Sequence, residues 1–333
     1  MHSALRKPVL ALAAFPLACG APGDEALPEA VTDPAATYAE RHSADPTARG
    51  YTEADFPRVQ ELASGVYSYE ALRSAGEERF TTVSFFVVTD EGVLVADGQG
   101  SVDETARLVD RIAEVTNKPI THVVVCSDHG DHTAGNAAFP EGVEFIAHSY
   151  SAGMLERRAN DPLRPDETPP IPLATRLVEE ATTLTLGGRT IEILHLGRAH
   201  TGGDLVVHLP VERILFMSEA YLHGVFPAMR SAYPSEWVAM IERAQALGAE
   251  MIVPGHGFVD DAAILAEGLE QFRGAVAQVI AEVSRLYHDG FSLENAQATV
   301  DFGDLAEWSL YDSQADRAVA QVYRELDGEL GSD

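Results

Sequence analysis

One local design recurs along this sequence and limits its folds more than any other feature. It is a short β-rich run that stops at a glycine-containing turn carrying a histidine or an acid. His122-Val123-Val124-Val125-Cys126 reads as a buried strand and runs straight into Ser127-Asp128-His129-Gly130-Asp131-His132-Thr133-Ala134-Gly135-Asn136. His200 lies in Arg198-Ala199-His200-Thr201-Gly202-Gly203-Asp204, Glu219 follows Leu215-Phe216-Met217-Ser218, and His256 lies in Val253-Pro254-Gly255-His256-Gly257. Imidazole and carboxylate are ligands that zinc accepts in four- or five-coordinate sites. Together these elements point to strand ends that converge on one small, metal-capable volume.

The elements around these turns come in two rounds. Val83 to Val88 and Val93 to Ala96 are β-rich runs joined by Thr89-Asp90-Glu91-Gly92, a hairpin signal. Ser101 with Glu104 three residues on reads as a capping box, and Ala106, Val109, Ile112 and Val115 behind it fall on one helical face. Val143 to Ala147 reads as another strand, and residues 155 to 175, rich in Pro, Arg and acids, as a surface loop. The second round holds strands at Ile191 to Leu196, Leu205 to Leu209 and Ile214 to Met217, a helix opened by Pro234-Ser235, and a strand at Met251-Ile252-Val253. Leu265, Leu269, Phe272, Val276, Val279, Ile280, Val283 and Leu286 keep the spacing of one buried helical stripe. Without a GxGxxG or P-loop signature, these rounds predict an α/β chain of two packed sheets with helices outside. A helical carboxyl-terminal extension over 261–333 follows.

The amino end is built differently. Arg6 and Lys7 precede an apolar stretch, Pro8 to Ala18, that is well short of the roughly 20 residues of a membrane helix. It ends at Leu17-Ala18-Cys19-Gly20 and reads as an export signal over 1–19. Cys19 resembles the lipidated first residue of a bacterial lipoprotein, which implies a periplasmic or membrane-anchored protein; plain secretory cleavage is the alternative. Residues 20–58, rich in Ala, Pro, Asp, Glu and Thr, read as a flexible leader. Cys126 is the one other cysteine, so the fold is expected to stand without a disulfide. Lys and Arg total 23 against 52 Asp and Glu, a net charge of −29. That charge argues against nucleic acid and leaves a small molecule as the expected partner.

The metal-capable turns resemble the motifs of the metallo-β-lactamase superfamily. The H-x-H-x-D-H run is matched at His129, Asp131 and His132 and continues through Thr133 to Asn136. The third-strand histidine motif is matched by Ala199 to Asp204, and the closing P-G-H-G by Pro254 to Gly257. The resemblance implies a domain over 59–260 with the four-layer αβ/βα sandwich and metals in a groove at its loop edges. Two positions depart from the motif: Ser127 stands where the family has its first His, and Glu219 where it has a bridging Asp. The implied ligands are Asp131, His132, Glu219 and His256 for one zinc, and His129, His200 and Glu219 for the other. One tight zinc and one weaker zinc are expected.

Zinc lowers the pKa of bound water toward about 7. A hydroxide oriented by Asp131 is then expected to attack an ester, lactone, lactam, thioester or sulfate ester. No G-x-S-x-G elbow offers a serine alternative. Tyr221, two residues beyond Glu219, is a candidate catalytic oxyanion donor, and His223 a candidate wall of the groove. Arg157, Arg158 and Arg164 stand out as either receivers of an anionic substrate or solvated surface charges. His122, His148, His195 and His208 read as packed histidines, and Cys126 as a small buried strand residue. Trp237 to Val253 holds no lysine that would grip a drug carboxylate, which argues against a β-lactamase proper. Two other classes stay open: an exported metal-binding accessory protein with little turnover, and a diiron redox protein. Metal content separates the first, and colour the second.

Overall fold

The computed structural model describes residues 42–165 and 167–331. The export signal, Cys19 and the leader up to residue 41 lie outside the described residues. Three antiparallel strands lead: β1 (Arg58–Ala63), β2 (Val66–Ala75) and β3 (Glu78–Val88). β3 turns back into β4 (Val93–Ala96) through the expected hairpin. Helix α1 (Val102–Val115) crosses to β5 (Ile120–Val125), parallel to β4. The single-turn helix α2 (Gly130–Thr133), β6 (Glu144–His148), α3 (Ser149–Ala159) and β7 (Arg176–Val178) complete this half. The other half runs through β8 (Ala181–Leu186), β9 (Arg189–Leu194), β10 (Val206–Leu209) and β11 (Ile214–Leu222). Helix α4 (Pro234–Ala246) then leads to β12 (Met251–His256), parallel to β11. α5 (Ala262–His288), α6 (Leu293–Thr299) and α7 (Tyr311–Leu326) follow.

The sequence pattern anticipates two sheets; hydrogen bonding links them into one, ordered β7-β6-β5-β4-β3-β12-β11-β10-β9-β8, with β1 and β2 beside β3. The halves meet at one residue pair, Thr82 with His256, and fold over that seam into a sandwich. Phe85 of β3 and Phe216 of β11 stack across it with centroids 5.5 Å apart. Successive strand residues point to opposite faces. Phe85 therefore joins the core between the halves, while Phe86 joins a second core with Leu108, Ile112 and Leu155 of α1 and α3. Each such side chain contributes about 1.5–3 kcal/mol when fully buried.

Three expectations need correction. Ser101 does accept the Glu104 amide and cap α1, but the buried stripe is Thr105, Leu108 and Ile112, with Val115 exposed. The bulkier Leu108 takes the core and rotates the predicted face outward. The irregular loop starts at 160, because residues 155–159 finish α3. The leader ends sooner than 58: Ala44 is fully buried, and Tyr51 stacks on Phe258 at 5.1 Å.

Asp261 caps α5 by accepting the Ile264 amide. This helix is about 40 Å long at 1.5 Å per residue, and it buries Leu265, Leu269, Phe272, Val276, Val279, Val283 and Leu286. These residues lie in the same core as β11 and α4, so the extension packs as part of the sandwich. Among the described residues, no helix is long and apolar enough to cross a membrane.

Candidate metal centre

The candidate ligands gather at the seam, and local backbone geometry explains how each gets there. β5 ends against Asp97, which follows β4 with a left-handed φ of 61° and accepts the Cys126 amide at 2.7 Å. His129 then starts the single turn of α2, closed by the Thr133 hydroxyl donating to the His129 carbonyl at 2.8 Å. This curl aims His129, Asp131 and His132 inward. Glu219 lies inside β11 rather than after it. Ser218, at φ 49°, and the register shifts beside it form a bulge that re-aims Glu219. Gly255 on β12 makes room for that bulge, since a Cβ there would collide with the backbone of Ser218 and Glu219. His200 sits on a loop pinned by Asp204, which accepts the Thr201 amide and hydroxyl, each at 2.7 Å.

Two donor groups result. Asp131, His132, Glu219 and His256 offer ligand atoms within 4.8 Å of one another, and so do His129, His200 and Glu219. In the four-donor group, His256 Nε2 lies 3.3 Å from both Asp131 Oδ2 and His132 Nε2, and 3.5 Å from Glu219 Oε1. In the three-donor group, His129 Nδ1 is 3.0 Å from both His200 Nε2 and Glu219 Oε2. His200 Nε2 is 3.1 Å from Glu219 Oε1. Ligands about 2.0–2.1 Å from a tetrahedral zinc stand roughly 3.3 Å from each other. The three-donor group has that spacing, the four-donor group is somewhat wider, with His132 Nε2 3.9 Å from Glu219 Oε1, and the residues fit two divalent cations that share Glu219.

The far sides of three of the four rings have an orienting neighbour, as a metal ligand requires. His132 Nδ1 lies 3.1 Å from Asp97 Oδ2, His256 Nδ1 donates to the Thr81 carbonyl at 2.8 Å, and His129 Nε2 meets Ser231 Oγ at 3.3 Å. Each contact fixes a ring so that its other nitrogen faces the seam.

The electrostatics favour positive charge. Burial pushes the Glu219 carboxyl up, but His200, His129 and His132 outweigh it and hold the group well below the usual carboxylate range. Burial likewise opposes protonation of His129 and His256. Glu219 nonetheless carries His129 up to about 9, and Asp131 with Glu219 carries His256 up to about 10. Arg73 Nε approaches Asp131 Oδ2 at 3.5 Å from the rim, with a third of its side chain exposed. On the other side Arg158 donates to the Asp128 carbonyl and lies 3.5 Å from its carboxylate.

A family model described as "Metallo-beta-lactamase superfamily" matches residues 78–256. The chain belongs to the metallo-beta-lactamase superfamily. Among curated proteins it is 27% identical over 173 residues to the 2,4-dinitroanisole O-demethylase subunit alpha of Nocardioides sp. (strain JS1661), a match covering 50% of each chain. The chain therefore spans half the length of that relative. It is 24% identical to a metallo-beta-lactamase type 2 of Bacillus sp. (strain 170), over 64% of this chain and 80% of that one. A linear primary-alkylsulfatase of Pseudomonas sp. (strain ATCC 19151) is 20% identical over 61% and 46%. Among solved structures, the metallo-beta-lactamase from Pontibacter korlensis superposes with a TM-score of 0.57 at 22% identity, covering 65% of this chain and 98% of that one. That likeness establishes the α/β sandwich. Membership supports a hydrolase in general, and the two donor groups are ones that could hold metal.

Tyr221 and His223 of this superfamily member sit differently from expectation, whereas the packed histidines and Cys126 sit as expected. Tyr221 is no oxyanion donor in this geometry: it is fully buried, and its hydroxyl donates to the Leu265 carbonyl of α5 at 2.9 Å. His223 does not line a groove either. It is buried, its Nδ1 donates to the Phe258 carbonyl at 3.0 Å, and burial pushes its pKa down to about 4. Ser127 is in neither donor group; its buried hydroxyl donates to Glu219 Oε2. His148 and His195 stack on each other at 4.2 Å, while His122 and His208 pair with Glu144 and Glu192. Arg164 donates to the Pro169 carbonyl within its own loop, and Arg157 contacts Met154. Cys126 is buried, and burial pushes its thiol well up. Sequence reasoning passes over Asp97, although Asp97-Gly98 after a β-rich run carries the same signature as the other turns. Thr81, Ser218 and Arg73 carry no such signal.

Proposed function

We propose that this chain is a hydrolase working with two divalent cations, zinc by the chemistry of its donors, on an ester, lactone, lactam, thioester or sulfate ester. The observation that carries the reading is the sharing of the buried Glu219 between two donor groups near ligand spacing. Four imidazoles and two carboxylates suit zinc. Asp131, His132, Glu219 and His256 would hold one cation, and His129, His200 and Glu219 the other. When bound, such cations bring water into the neutral pKa range and act as Lewis acids toward a scissile carbonyl or sulfuryl centre.

The chain's own groups do the rest. Burial and Glu219 tend to protonate Asp131, but the hydrogen bond from His256 and the charge of His132 keep it ionised. Its partly exposed carboxylate, beside Arg73, would accept a hydrogen bond from the attacking water and set the direction of attack. Arg73 balances charge beside it and faces the rim where a substrate anion would arrive. Asp97 and Thr81 hold His132 and His256 in one tautomer through turnover.

The test is zinc content by elemental analysis, together with a panel of ester, lactone, lactam, thioester and sulfate-ester substrates assayed with zinc and with chelator. About two zinc per chain and chelator-sensitive turnover of one class are expected. A protein that takes up no zinc, or hydrolyses none of the panel when loaded, refutes the reading. Export through residues 1–19 with lipid on Cys19 belongs to the same proposal, and fractionation of Cys19→Ala against the unmodified chain tests it.

A further inference from the structure

We propose that residues 42–58, which precede the part of the chain matched by the family model, form a strap in which Arg49 is a positioning residue for the His256 end of the metal centre. The inference rests on the metal-centre reading. It starts from the stretch between His256 and the cap of α5. Gly257 to Asp260 lies in no helix or strand, so only side-chain and turn contacts fix it.

Those contacts come largely from the strap. Arg49 grips Asp260 with both guanidinium ends, at 3.0 Å from Nη1 to Oδ2 and through Nη2 to Oδ1. The two side chains are only 9% and 6% exposed, so this is a buried, paired charge. Arg49 also lies over the Phe258 ring at 4.5 Å, and Tyr51 stacks on that ring at 5.1 Å with planes 20° apart. Arg58 follows at 5.6 Å from Phe258 and pairs at 2.9 Å with Glu70, which accepts the Val259 amide. Phe258 is fully buried among them.

From this clamped loop the constraint passes to His256 in two short steps. His223 Nδ1 donates to the Phe258 carbonyl at 3.0 Å, and the His223 amide donates to the His256 carbonyl at 2.9 Å. The Thr81 hydroxyl donates to the Gly257 carbonyl, and the Thr81 carbonyl receives His256 Nδ1. Gly257 has a left-handed φ of 86°, and a Cβ there would strike the His223 carbonyl, so the backbone has little room to adjust. A carboxylate left buried without its cation either takes a proton or moves to water. If Arg49 loses its charge, Asp260 relaxes outward and takes Phe258 and the His256 backbone with it.

The consequence is selective. His256 belongs to the four-donor group, whereas His129 and His200 stand on other loops. Groups that orient a ligand from behind typically tune metal affinity by roughly 10–100-fold. Acting through one more contact, Arg49→Met is expected to weaken the zinc equivalent of the four-donor group, the tighter one by its donor count, by about tenfold and leave the other within about twofold.

The experiment is zinc titration of the full chain against a chromophoric chelator for the unmodified protein, Arg49→Met, Arg49→Lys and Arg49→Met/Asp260→Leu, with thermal unfolding in chelator alongside. Arg49→Lys keeps the charge and is expected to fall between the unmodified protein and Arg49→Met. The double substitution removes both charges and is expected to recover most of the lost affinity, a rescue that a general packing defect does not produce. Should Arg49→Met fold poorly, Asp260→Asn reads out the same step. Equal weakening of both zinc equivalents, or a lowered melting temperature with unchanged affinities, overturns the proposal. If the unmodified chain binds two zinc and Arg49→Met matches it, only this inference falls. If the unmodified chain binds none, the metal-centre reading falls with it.

Discussion

Asp97 offers the most direct probe of how the centre is organised. Its carboxylate has three partners: the Cys126 amide at 2.7 Å and the Ser218 hydroxyl at 2.5 Å, which donate to it, and His132 Nδ1 at 3.1 Å. Asp97→Asn keeps the shape and tolerates the left-handed backbone, because Asn populates that region readily. It replaces one oxygen by an NH2 group. The amide oxygen can still serve the Cys126 N–H, but the NH2 then faces two donors, Ser218 Oγ–H and His132 Nδ1–H. The economical response is for His132 to move its proton to Nε2, the nitrogen aimed at the four-donor group. That tautomer cannot ligate. Loss of an orienting carboxylate of this kind costs roughly 10–100-fold in metal affinity, or about 1.4–2.7 kcal/mol. Zinc titration is the assay. The zinc equivalent of the four-donor group is expected to weaken by that factor, while stability in chelator falls by about 1.5–3 kcal/mol, since the Ser218 and His132 contacts to an ionised carboxylate are both disturbed. Unchanged zinc affinity refutes the idea that Asp97 sets the His132 tautomer.

Three further outcomes follow from the same geometry. Asp131→Ala removes a donor and the group that directs water, so metal content drops and turnover falls by at least about 10²-fold; full turnover with full metal contradicts its role. Tyr221→Phe gives up one buried hydrogen bond to Leu265 and lowers stability by about 1 kcal/mol, with kcat within about twofold. A large kcat loss at full metal content puts the hydroxyl back into the chemistry. His223, held neutral with its pKa pushed down to about 4 from 6.5, contributes stability that is complete above pH 6.5 and lost as pH falls toward 4. The full contribution is about 3 kcal/mol. Denaturant unfolding of the unmodified chain and His223→Gln at pH 7.5 and 4.5 measures it, and parallel acid slopes deny it.

The legible part of the fold was the part written in short-range periodicity. The hairpin at Thr89 to Gly92, the buried run before Ser127 and the stripe of α5 depend on neighbours two to four residues apart. The candidate metal ligands are legible because strand, glycine and imidazole or acid recur together. What the sequence did not carry is contact between distant segments. Nothing near Tyr221 says that α5 would return to occupy its hydroxyl, and nothing near His223 says that Phe258 would bury it. Composition alone also made residues 42–58 look like leader, because Arg49 and Tyr51 acquire their purpose only against Asp260 and Phe258, more than two hundred residues away.

Ser127 and Glu219, the two residues that the sequence reading sets apart from the superfamily motif, meet in space, which changes what each means. Read singly, Ser127 is a missing ligand and Glu219 an overlong one. In the structure the Ser127 hydroxyl donates to Glu219 Oε2, the oxygen that also faces His129. A carboxylate on a longer stem has an extra torsion to fix, and a buried donor at position 127 fixes it. An imidazole there would compete for the same space. The pair is therefore expected to act as a unit, and a double-mutant cycle measures that. Ser127→Ala leaves a buried ionised oxygen one donor short, worth about 1.5–3 kcal/mol in zinc affinity of the three-donor group. In the Glu219→Asp background the shorter stem withdraws the carboxylate from Ser127, so the same substitution is expected to cost less than about 0.5 kcal/mol. The coupling is then at least about 1 kcal/mol. Strictly additive effects mean that Ser127 and Glu219 depart from the motif independently, and that the hydroxyl does not hold the carboxylate in place.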